Sequence, residues 1–444
     1  MEPLEHYRDT IFALSSGAGI AGVAVIRISG QNVRFGLETI IGQLPQPRRA
    51  ELRTILGSDD QVLDRGLVFF FPAPASFTGE DCAELHVHGG RAVIESVLQR
   101  LADLENYRSA EPGEFTRRAF ENGKMDLTEV EGLADLLQAQ TEMQRRMALE
   151  QSTGSLSKQY DLWRKQLIRA RAMIEADFDF ADEEDVPGSV VDVIWSDLAI
   201  LSKDIADHLE AGKAGEIIRN GFRVVLLGAP NAGKSSLLNA LAQRDVAIVS
   251  EEKGTTRDML EVQLNMDGYP VIIHDTAGIR KTESPVEAEG MKRALEAAGK
   301  AELIILLVDP GEDHVLSSDL PFGVPVLRVG SKADINTMVD ATQFDCLVSV
   351  KHSNGLESLF SQLNVHLKKA TYTSVDALPN RQRHREYLHR CVKHIDEAVE
   401  GDRMPLELRS ESLRSASDSL GRLTGRIDVD DLLDVIFGEF CIGK

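Results

Sequence analysis

Cysteine is scarce in this sequence. Four residues, Cys82, Cys346, Cys391 and Cys441, are spread over 444 positions with no paired spacing. That pattern excludes a structural zinc site and a disulfide framework, and it predicts a reducing compartment. Positive charge is also short: 49 Lys and Arg stand against 71 Asp and Glu, a net charge of −22. No global field therefore draws nucleic acid to the chain, and any RNA contact must use a local basic patch. No apolar run approaches the ~18 residues of a membrane span. The first residues lack the basic-then-apolar order of a secretory signal. Together these absences predict a cytoplasmic protein with no membrane partner. Internal repeats and low-complexity tracts are missing too. What the chain does have is length and apolar content, 43% hydrophobic over 444 residues, enough for about three domains with real cores.

Residues 1–121 mix short strands and helices. Val23 to Ile28 and Gly66 to Phe71 are β-like, and Ala83-Glu-Leu-His-Val-His88 alternates with period two. Helices are expected near 91–104 and 113–121, giving a compact α+β domain. From 122 to 218 the pattern is helical, with Ala134, Leu137, Thr141 and Ala148 near helical spacing. Residues 219–373 alternate strand and helix, with apolar strands at 222–227, 271–274, 303–308, 324–329 and 346–350. The strand 260–265 joins 271–274 through the hairpin pair Asp267-Gly268. This predicts an α/β parallel sheet with one antiparallel edge. Residues 374–444 are helical again, so a nucleotide-type domain is inserted between two helical segments that pack as one. The acidic run Asp177 to Asp185 reads as a solvated helix end or linker.

Residues 228–236, Gly-Ala-Pro-Asn-Ala-Gly-Lys-Ser-Ser, fit the phosphate-loop pattern between an apolar strand and a helix. Its glycines let backbone N–H groups close around phosphate oxygens, and the helix N-terminus adds partial positive charge. Asn231, Ala232, Gly233, Lys234, Ser235 and Ser236 line the loop; Lys234 would reach the outer phosphates and Ser235 a magnesium ion. Asp275, Thr276, Ala277 and Gly278 follow the strand 271–274, where the carboxylate can hold magnesium through water and Gly278 can offer an N–H to a γ-phosphate. Between them, Gly254-Thr255-Thr256 lies in a polar loop. A threonine there can complete the magnesium shell while a γ-phosphate is present.

The base site is expected at Ser331, Lys332, Ala333 and Asp334, backed by Ser349, Val350 and Lys351 after the last strand. A carboxylate at Asp334 accepts two hydrogen bonds from guanine, whereas adenine offers no matching donors. The competing reading is a surface pair between Lys332 and Asp334. These pieces, in this order, resemble the guanine-nucleotide-binding GTPase superfamily. One departure is Ser331, where that superfamily usually carries Asn; a hydroxyl cannot supply both an amide donor and a carbonyl acceptor. Weaker guanine binding is expected. A second is Ile279, where many GTPases place a water-orienting Gln. Asn231 could coordinate a monovalent cation that balances phosphate charge, and an acid after Asp275 could orient water. Glu283, Glu287 and Glu289 are equivalent on sequence alone.

Flanking strings carry a closer resemblance. They are Val25-Ile-Arg-Ile-Ser-Gly30, Phe77-Thr-Gly-Glu-Asp81 with Glu84 and His88-Gly-Gly90, Pro112-Gly-Glu-Phe-Thr-Arg117, Asn122-Gly-Lys-Met-Asp-Leu127, Leu423-Thr-Gly-Arg-Ile-Asp428 and the tail Phe440-Cys-Ile-Gly-Lys444. Over essentially its whole length the chain resembles the MnmE (TrmE) family of tRNA-modifying GTPases. The resemblance implies a multidomain α+β fold. An N-terminal α+β domain (1–121) for folate binding and dimerisation is followed by a discontinuous helical domain (122–218 and 374–444) with an inserted α/β P-loop GTPase domain (219–373). It implies a potassium-stimulated GTP hydrolase acting as a homodimer. With the flavoprotein MnmG (GidA), in a heterotetramer, it adds an aminomethyl or carboxymethylaminomethyl group to the wobble uridine of certain tRNAs. The one-carbon unit comes from a tetrahydrofolate derivative, 5-formyl or methylene.

Carried over by position, Arg27, Glu84, Lys124 and Lys444 would bind the folate. Asn231, Ser250, Glu252 and Thr255 would bind potassium, and Ser235 and Thr256 magnesium. Glu251, Lys253 and Gly254 complete the GTP loop, Glu287 orients water and Cys441 takes part in chemistry, unless it is an inert thiol. Glu252 and Lys253 replace small or apolar residues of the family, so coordination there would rely on main-chain oxygens. Glu439 stands where a basic residue is common. A pterin edge suits a carboxylate such as Glu84, and a glutamate tail suits Arg27 or a lysine.

Further features keep two readings. His86 and His88 share one strand face, but without an evident third ligand they read as structural. Arg381, Arg383, Arg385, Arg390 and Lys393 form the best basic patch, either for tRNA phosphates or as a solvated helix face. Two other functions compete. An Era-like ribosome-assembly GTPase would leave the N-terminal region and the Cys-Ile-Gly-Lys tail unexplained. A non-catalytic folate or partner scaffold would draw support from Ser331.

Overall fold

In the computed structural model the described residues are 9–17, 19–179, 189–229, 231–244, 246–248, 260–275, 295–310, 321, 323–335, 340–372, 377–401, 404–427, 433, 436–438, 440 and 442–443. The chain divides into two compact units, Met1–Ala134 with Gly421–Lys444, and Asp135–Leu420.

The first unit contains strands β1 (Thr10–Leu14) and β2 (Ala21–Ser29), helix α1 (Val33–Ile41), strands β3 (Glu51–Leu56), β4 (Val62–Phe71) and β5 (Cys82–Gly89), helix α2 (Arg91–Ala102), strand β6 (Tyr107–Ser109) and helix α3 (Glu114–Glu121). The strands form one six-stranded sheet in the order β3-β4-β5-β2-β1-β6, antiparallel except for the β1–β6 pair. Alternation decides its faces. Ile26, Ile28, Val68, Phe70, Ala83, Leu85 and Val87 point into a core shared with Val33, Leu37 and Ile40 of α1 and Val97 and Leu101 of α2. Arg27, Glu84 and His86 fall on the other face, because side-chain period two leaves them no alternative. Strands β1, β3 and β6 and helix α1 are absent from the sequence expectation. They are short, and pairing within the sheet rather than alternation of their own residues defines them.

Helix α4 (Leu127–Gln138) begins at Asp126, whose Oδ1 accepts from the Thr128 and Glu129 amides at 2.9 and 3.0 Å. It ends before α5 (Glu142–Ser152), so the run through Ala134, Leu137 and Thr141 is two helices, and Leu137 is exposed. In the second unit α6 (Ser155–Asp179) buries Leu156, Tyr160, Trp163 and Leu167, a spacing of three and four that draws one apolar stripe. Helix α7 (Ser189–Asn220) and the helix Gln382–Glu400 pack together. Pro379 passes so close to α7 that a Cβ on Gly212 would meet its ring at 2.9 Å.

The second sheet is built from β7 (Phe222–Gly228), β8 (Leu260–Met266), β9 (Tyr269–Asp275), β10 (Leu303–Val308), β11 (Val326–Gly330) and β12 (Cys346–Leu347), with α8 (Lys234–Ala242) after β7 and a helix Leu356–Ala370 after β12. Its order is β12-β11-β10-β7-β9-β8, parallel throughout except for the antiparallel edge β8. Strand β10 is apolar at every position because both faces are covered. Ile305 packs with α8 and the helix Leu356–Ala370, while Ile304 packs on the opposite side with Val225, Leu227 and Ala298. Strand β12 is shorter than the expected 346–350. A reversal pairing the Ser349 and Asn354 amides and carbonyls ends it, and Gly355 lies where a Cβ would stand 1.9 Å from Leu347 O.

The chain enters this sheet at Arg219 and leaves it toward Arg381, and one carboxylate holds both crossings. Asp135 accepts from Arg219 Nε at 2.9 Å, Arg381 Nη2 at 2.8 Å and Asn380 Nδ2 at 3.3 Å. Gln144 Nε2 donates to Arg219 O at 3.0 Å, and the Met143 amide donates to Gly268 O of the β8–β9 turn at 3.0 Å.

Candidate functional site

Strand β7 lies between β10 and β9, so the chain leaves it in one direction for β9 and later returns on the other side. In open α/β sheets the crevice at such a reversal, at the carboxyl ends of the strands, receives the ligand. The phosphate loop starts there. Gly228 is required by close approach: a Cβ would stand 2.3 Å from Leu307 O on the neighbouring strand. Gly233 precedes α8 with φ of 95°, and Asn231 adopts the left-handed region with φ of 66°, which turns the loop tightly over the helix N-terminus. Lys234 Nζ donates to Gly228 O at 2.7 Å and Ala229 O at 2.9 Å, holding its ammonium within the loop. Ser235 Oγ donates to Asp275 Oδ2 at 3.0 Å, and Asp275 is fully buried at the end of β9. A hydroxyl and a carboxylate side by side are the hard oxygen donors that suit magnesium.

Strand β11 brings the residues expected to meet the base to the same edge. The Ser331 amide and hydroxyl both donate to Val308 O, at 2.8 and 3.2 Å. Lys332 Nζ donates to Asp309 Oδ2 at 2.7 Å. The Ala333 amide donates to Val348 O at 3.2 Å, and Val350 packs against the sheet core. Asp334 Oδ1 accepts from Ser349 Oγ at 2.7 Å, and that bond holds its carboxyl below the usual range, aided by the charge of His352 and Lys351. His352 Nε2 lies 3.8 Å from Asp334 Oδ2. Sequence reasoning passed over Asp309 and His352. The only signal for Asp309 is a lone acid straight after an all-apolar strand.

On the open face of the first sheet, Arg27 and Glu84 are directly paired in register, and so are Glu84 and Phe69. Arg27 Nε and Nη2 donate to Glu84 Oε1 at 3.3 and 3.2 Å. The guanidinium lies 5.0 Å from the Phe77 ring centre and 5.8 Å from that of Phe115. Lys124, in the turn after α3, reaches the β4–β5 loop that carries Phe77: its Nζ donates to Pro74 O at 3.1 Å, and a Cβ on Gly79 would meet its Cγ at 3.2 Å. A carboxylate paired with a guanidinium that lies against aromatic rings fits a flat heterocycle with N–H donors. His86 Nε2 is 3.3 Å from Glu84 Oε2, whereas His88 Nδ1 pairs with Asp64 Oδ1 at 2.8 Å. No group of three or more metal-ligating side chains occurs among the described residues. Phe69, Phe77 and Phe115 were not linked to Arg27 in the sequence because they are distant from it along the chain.

Near the tail, Ser15 Oγ donates to Gly443 O at 2.7 Å, and Ile442 bridges Pro112. Outside the described residues lie Ser250, Glu251, Glu252, Lys253, Gly254, Thr255, Thr256, Thr276, Ala277, Gly278, Ile279, Glu287, Cys441 and Lys444. Cys82, Cys346 and Cys391 are free and buried; burial pushes the Cys346 thiol up to about 11, away from nucleophilic use. The basic patch is largely engaged: Arg381 bonds Asp135, Arg385 Nη1 donates to Glu216 at 2.9 Å, and Arg390 lies over Tyr387. No helix among the described residues is long and apolar enough to cross a membrane.

Known proteins resemble the chain over essentially its whole length. Residues 10–124 match the family described as "GTP-binding protein TrmE N-terminus", and residues 127–441 match "MnmE helical domain". The chain is 51% identical over 447 residues to the tRNA modification GTPase MnmE of Brucella anthropi, covering 100% of both chains. It is 53% identical to the protein of that name from Rhizobium etli, covering 98% of this chain and 99% of the other. The chain belongs to the MnmE (TrmE) family of tRNA modification GTPases.

Proposed function

We propose that the chain is a potassium-stimulated GTP hydrolase of the cytoplasm that modifies the wobble uridine of certain tRNAs. It acts as a homodimer with the flavoprotein MnmG and draws a one-carbon unit from a tetrahydrofolate derivative. The observation that carries the GTPase half is the convergence of the phosphate loop, the Ser235–Asp275 pair and Asp334 on one edge of a parallel sheet. The domain layout that goes with it is 1–121, 122–218 with 374–444, and 219–373.

The roles follow from the residues. Loop amides from Asn231 to Ser236 and the α8 N-terminus receive phosphate oxygens. Lys234 exchanges the carbonyls of Gly228 and Ala229 for the outer phosphates, a better match for an ammonium. Asp334 accepts the two guanine N–H groups while the Ser349 hydroxyl fixes its orientation. Ser235 and Thr256 hold magnesium near Asp275. Asn231, with Ser250, Glu252 and Thr255, holds potassium. When bound, that ion would supply positive charge to offset the outer phosphate oxygens. Glu287 orients the attacking water. Arg27, Glu84, Lys124 and Lys444 bind the folate, and Cys441 serves the transfer chemistry.

Three measurements test this reading. GTP turnover should be faster in potassium than in sodium, and equal rates would remove the cation from the mechanism. Mass spectrometry of tRNA from a deletion strain should show loss of the wobble modification. An intact modification would redirect the assignment toward ribosome assembly or scaffolding. Glu287→Ala should bind GTP normally and lose turnover.

A further inference from the structure

The open face of the first sheet holds a polar group beside Glu84 that the assigned folate residues leave out. Period two along β5 puts Glu84 and His86 side by side on that face, and the register sets Phe69 of β4 opposite Glu84 and Leu67 opposite His86. Glu84 is thus gripped from two directions. Arg27 reaches Oε1 from β2, and His86 reaches Oε2 along its own strand at 3.3 Å. The His86 ring lies 4.9 Å from the Phe69 ring, tilted by 46°, so packing restrains it as well. Phe69 in turn stacks on Phe71 with ring centres 6.2 Å apart. All three polar side chains keep partial exposure, 18% for Arg27, 24% for Glu84 and 27% for His86, so a ligand can reach them.

We propose that His86 is a positioning and specificity-determining residue of the pteridine site: its Nε2–H fixes the Glu84 carboxylate opposite Arg27, and its Nδ1 is left as a second acceptor for the N–H donors of the ligand. This rests on the reading of Arg27 and Glu84 as folate-binding. A carboxylate only accepts, so the Glu84 contact places the proton on Nε2 and sets the tautomer. Among the described residues Nδ1 has no recorded hydrogen bond. A clamped carboxylate beside an imidazole acceptor favours a flat ring carrying several N–H groups and disfavours one presenting acceptors at the same edge. The histidine pair on β5 is therefore split in use, with His86 serving the site and His88 fastened to Asp64.

The test is calorimetric binding of 5-formyltetrahydrofolate to the full chain carrying His86→Ala, His86→Gln or Glu84→Gln, with melting temperature as the control for folding. His86→Ala should weaken binding about tenfold, the loss of one hydrogen bond to a charged group. His86→Gln keeps an amide donor for Glu84 and an oxygen acceptor, and should recover most of that loss. Glu84→Gln should weaken binding more than either. If Glu84→Gln weakens binding and His86→Ala does not, the role of His86 is overturned while the folate site stands. Equal weakening by His86→Ala and His86→Gln, with a lower melting temperature, would reduce His86 to packing against Phe69. If no variant changes binding, the folate reading of this face falls, and the proposal with it.

Discussion

The first sheet is antiparallel except at β6, alternates polar and apolar side chains, and turns one face to its main core, with the other face covered only at β1 by Ala110 and Phe115; the second is parallel except at β8, apolar at consecutive positions, and covered on both faces. That difference dictates where each can carry a ligand. A sheet buried on both sides has no free face, so chemistry moves to the carboxyl ends of its strands, where Gly228, Asp275 and Ser331 sit at the ends of β7, β9 and β11. A sheet buried on one side can place Arg27, Glu84 and His86 in mid-strand and hold them by neighbours in register. An edge site is made from loops and helix ends. A face site is made from cross-strand pairs.

The sharpest way to break the comparison is to disable each site and measure the other. Lys234→Ala should lower GTP affinity by about 100-fold or more, since it removes the cation proposed to meet the outer phosphates. It should leave 5-formyltetrahydrofolate binding within about twofold of the parent chain. Glu84→Ala should do the reverse. A variant that lost both ligands would mean the two sheets do not carry separate sites.

Core substitutions sharpen the same contrast through stability, read by urea unfolding with circular dichroism. Ile304 and Ile305 are both fully buried although they point to opposite faces. Changing either to Ala should cost about 2–5 kcal/mol. In the first sheet the cost should depend on the face. Leu85→Ala, from the buried side, falls in that same range, about 2–5 kcal/mol. Leu67→Ala, at a position 40% exposed, should stay within about 0.5 kcal/mol. Equal losses at Leu85 and Leu67 would mean that the open face is covered in solution.

The same physics explains what the sequence made readable. An edge site collects contiguous residues, so the phosphate loop, Asp275 and the Ser331–Asp334 stretch stand out as strings after apolar strands. The parallel sheet with its antiparallel edge follows from those strands and the Asp267-Gly268 turn. A face site is scattered along the chain. Arg27, Glu84 and Phe77 meet only after β2 and β5 pair, and family resemblance rather than pattern pointed to the first two. His86 read as a structural histidine because alternation reports a face and says nothing of a neighbour's carboxylate. Strands β3 and β6 escaped notice because three to six residues carry too little pattern to exceed chance, and partners define them. Asp135 was equally silent, because the three side chains it binds come from both ends of the inserted segment.

Ser331→Asn addresses a finer point at the edge site. The Ser331 hydroxyl donates to Val308 O, a bond to the adjacent strand that offers the guanine ring nothing. An amide adds both a donor and an acceptor at the same position, so GTP and GDP should bind a few-fold to about tenfold more tightly, as for one added hydrogen bond. Xanthine nucleotides should gain less, since discrimination at Asp334 is unchanged. No gain in affinity would place the missing contact elsewhere in the base site.

The smallest expected effect is with pH, and it follows from Asp334. Its carboxyl is held below the ordinary aspartate value of 3.8, first by the Ser349 hydroxyl, so it accepts a proton only at more acid pH than a free aspartate. The sign is that of a depressed carboxyl. The charged, guanine-accepting form is complete above the unperturbed value and is lost only as pH falls through the lowered one. GTP affinity should therefore be flat from neutral pH down to about pH 5, well above the ordinary aspartate range. Ser349→Ala removes the hydroxyl that holds the carboxyl down, so the acid limb of the binding curve should move to higher pH. An acid limb that stayed in place in Ser349→Ala would mean that His352 and Lys351, not the hydroxyl, set the charge of the base site.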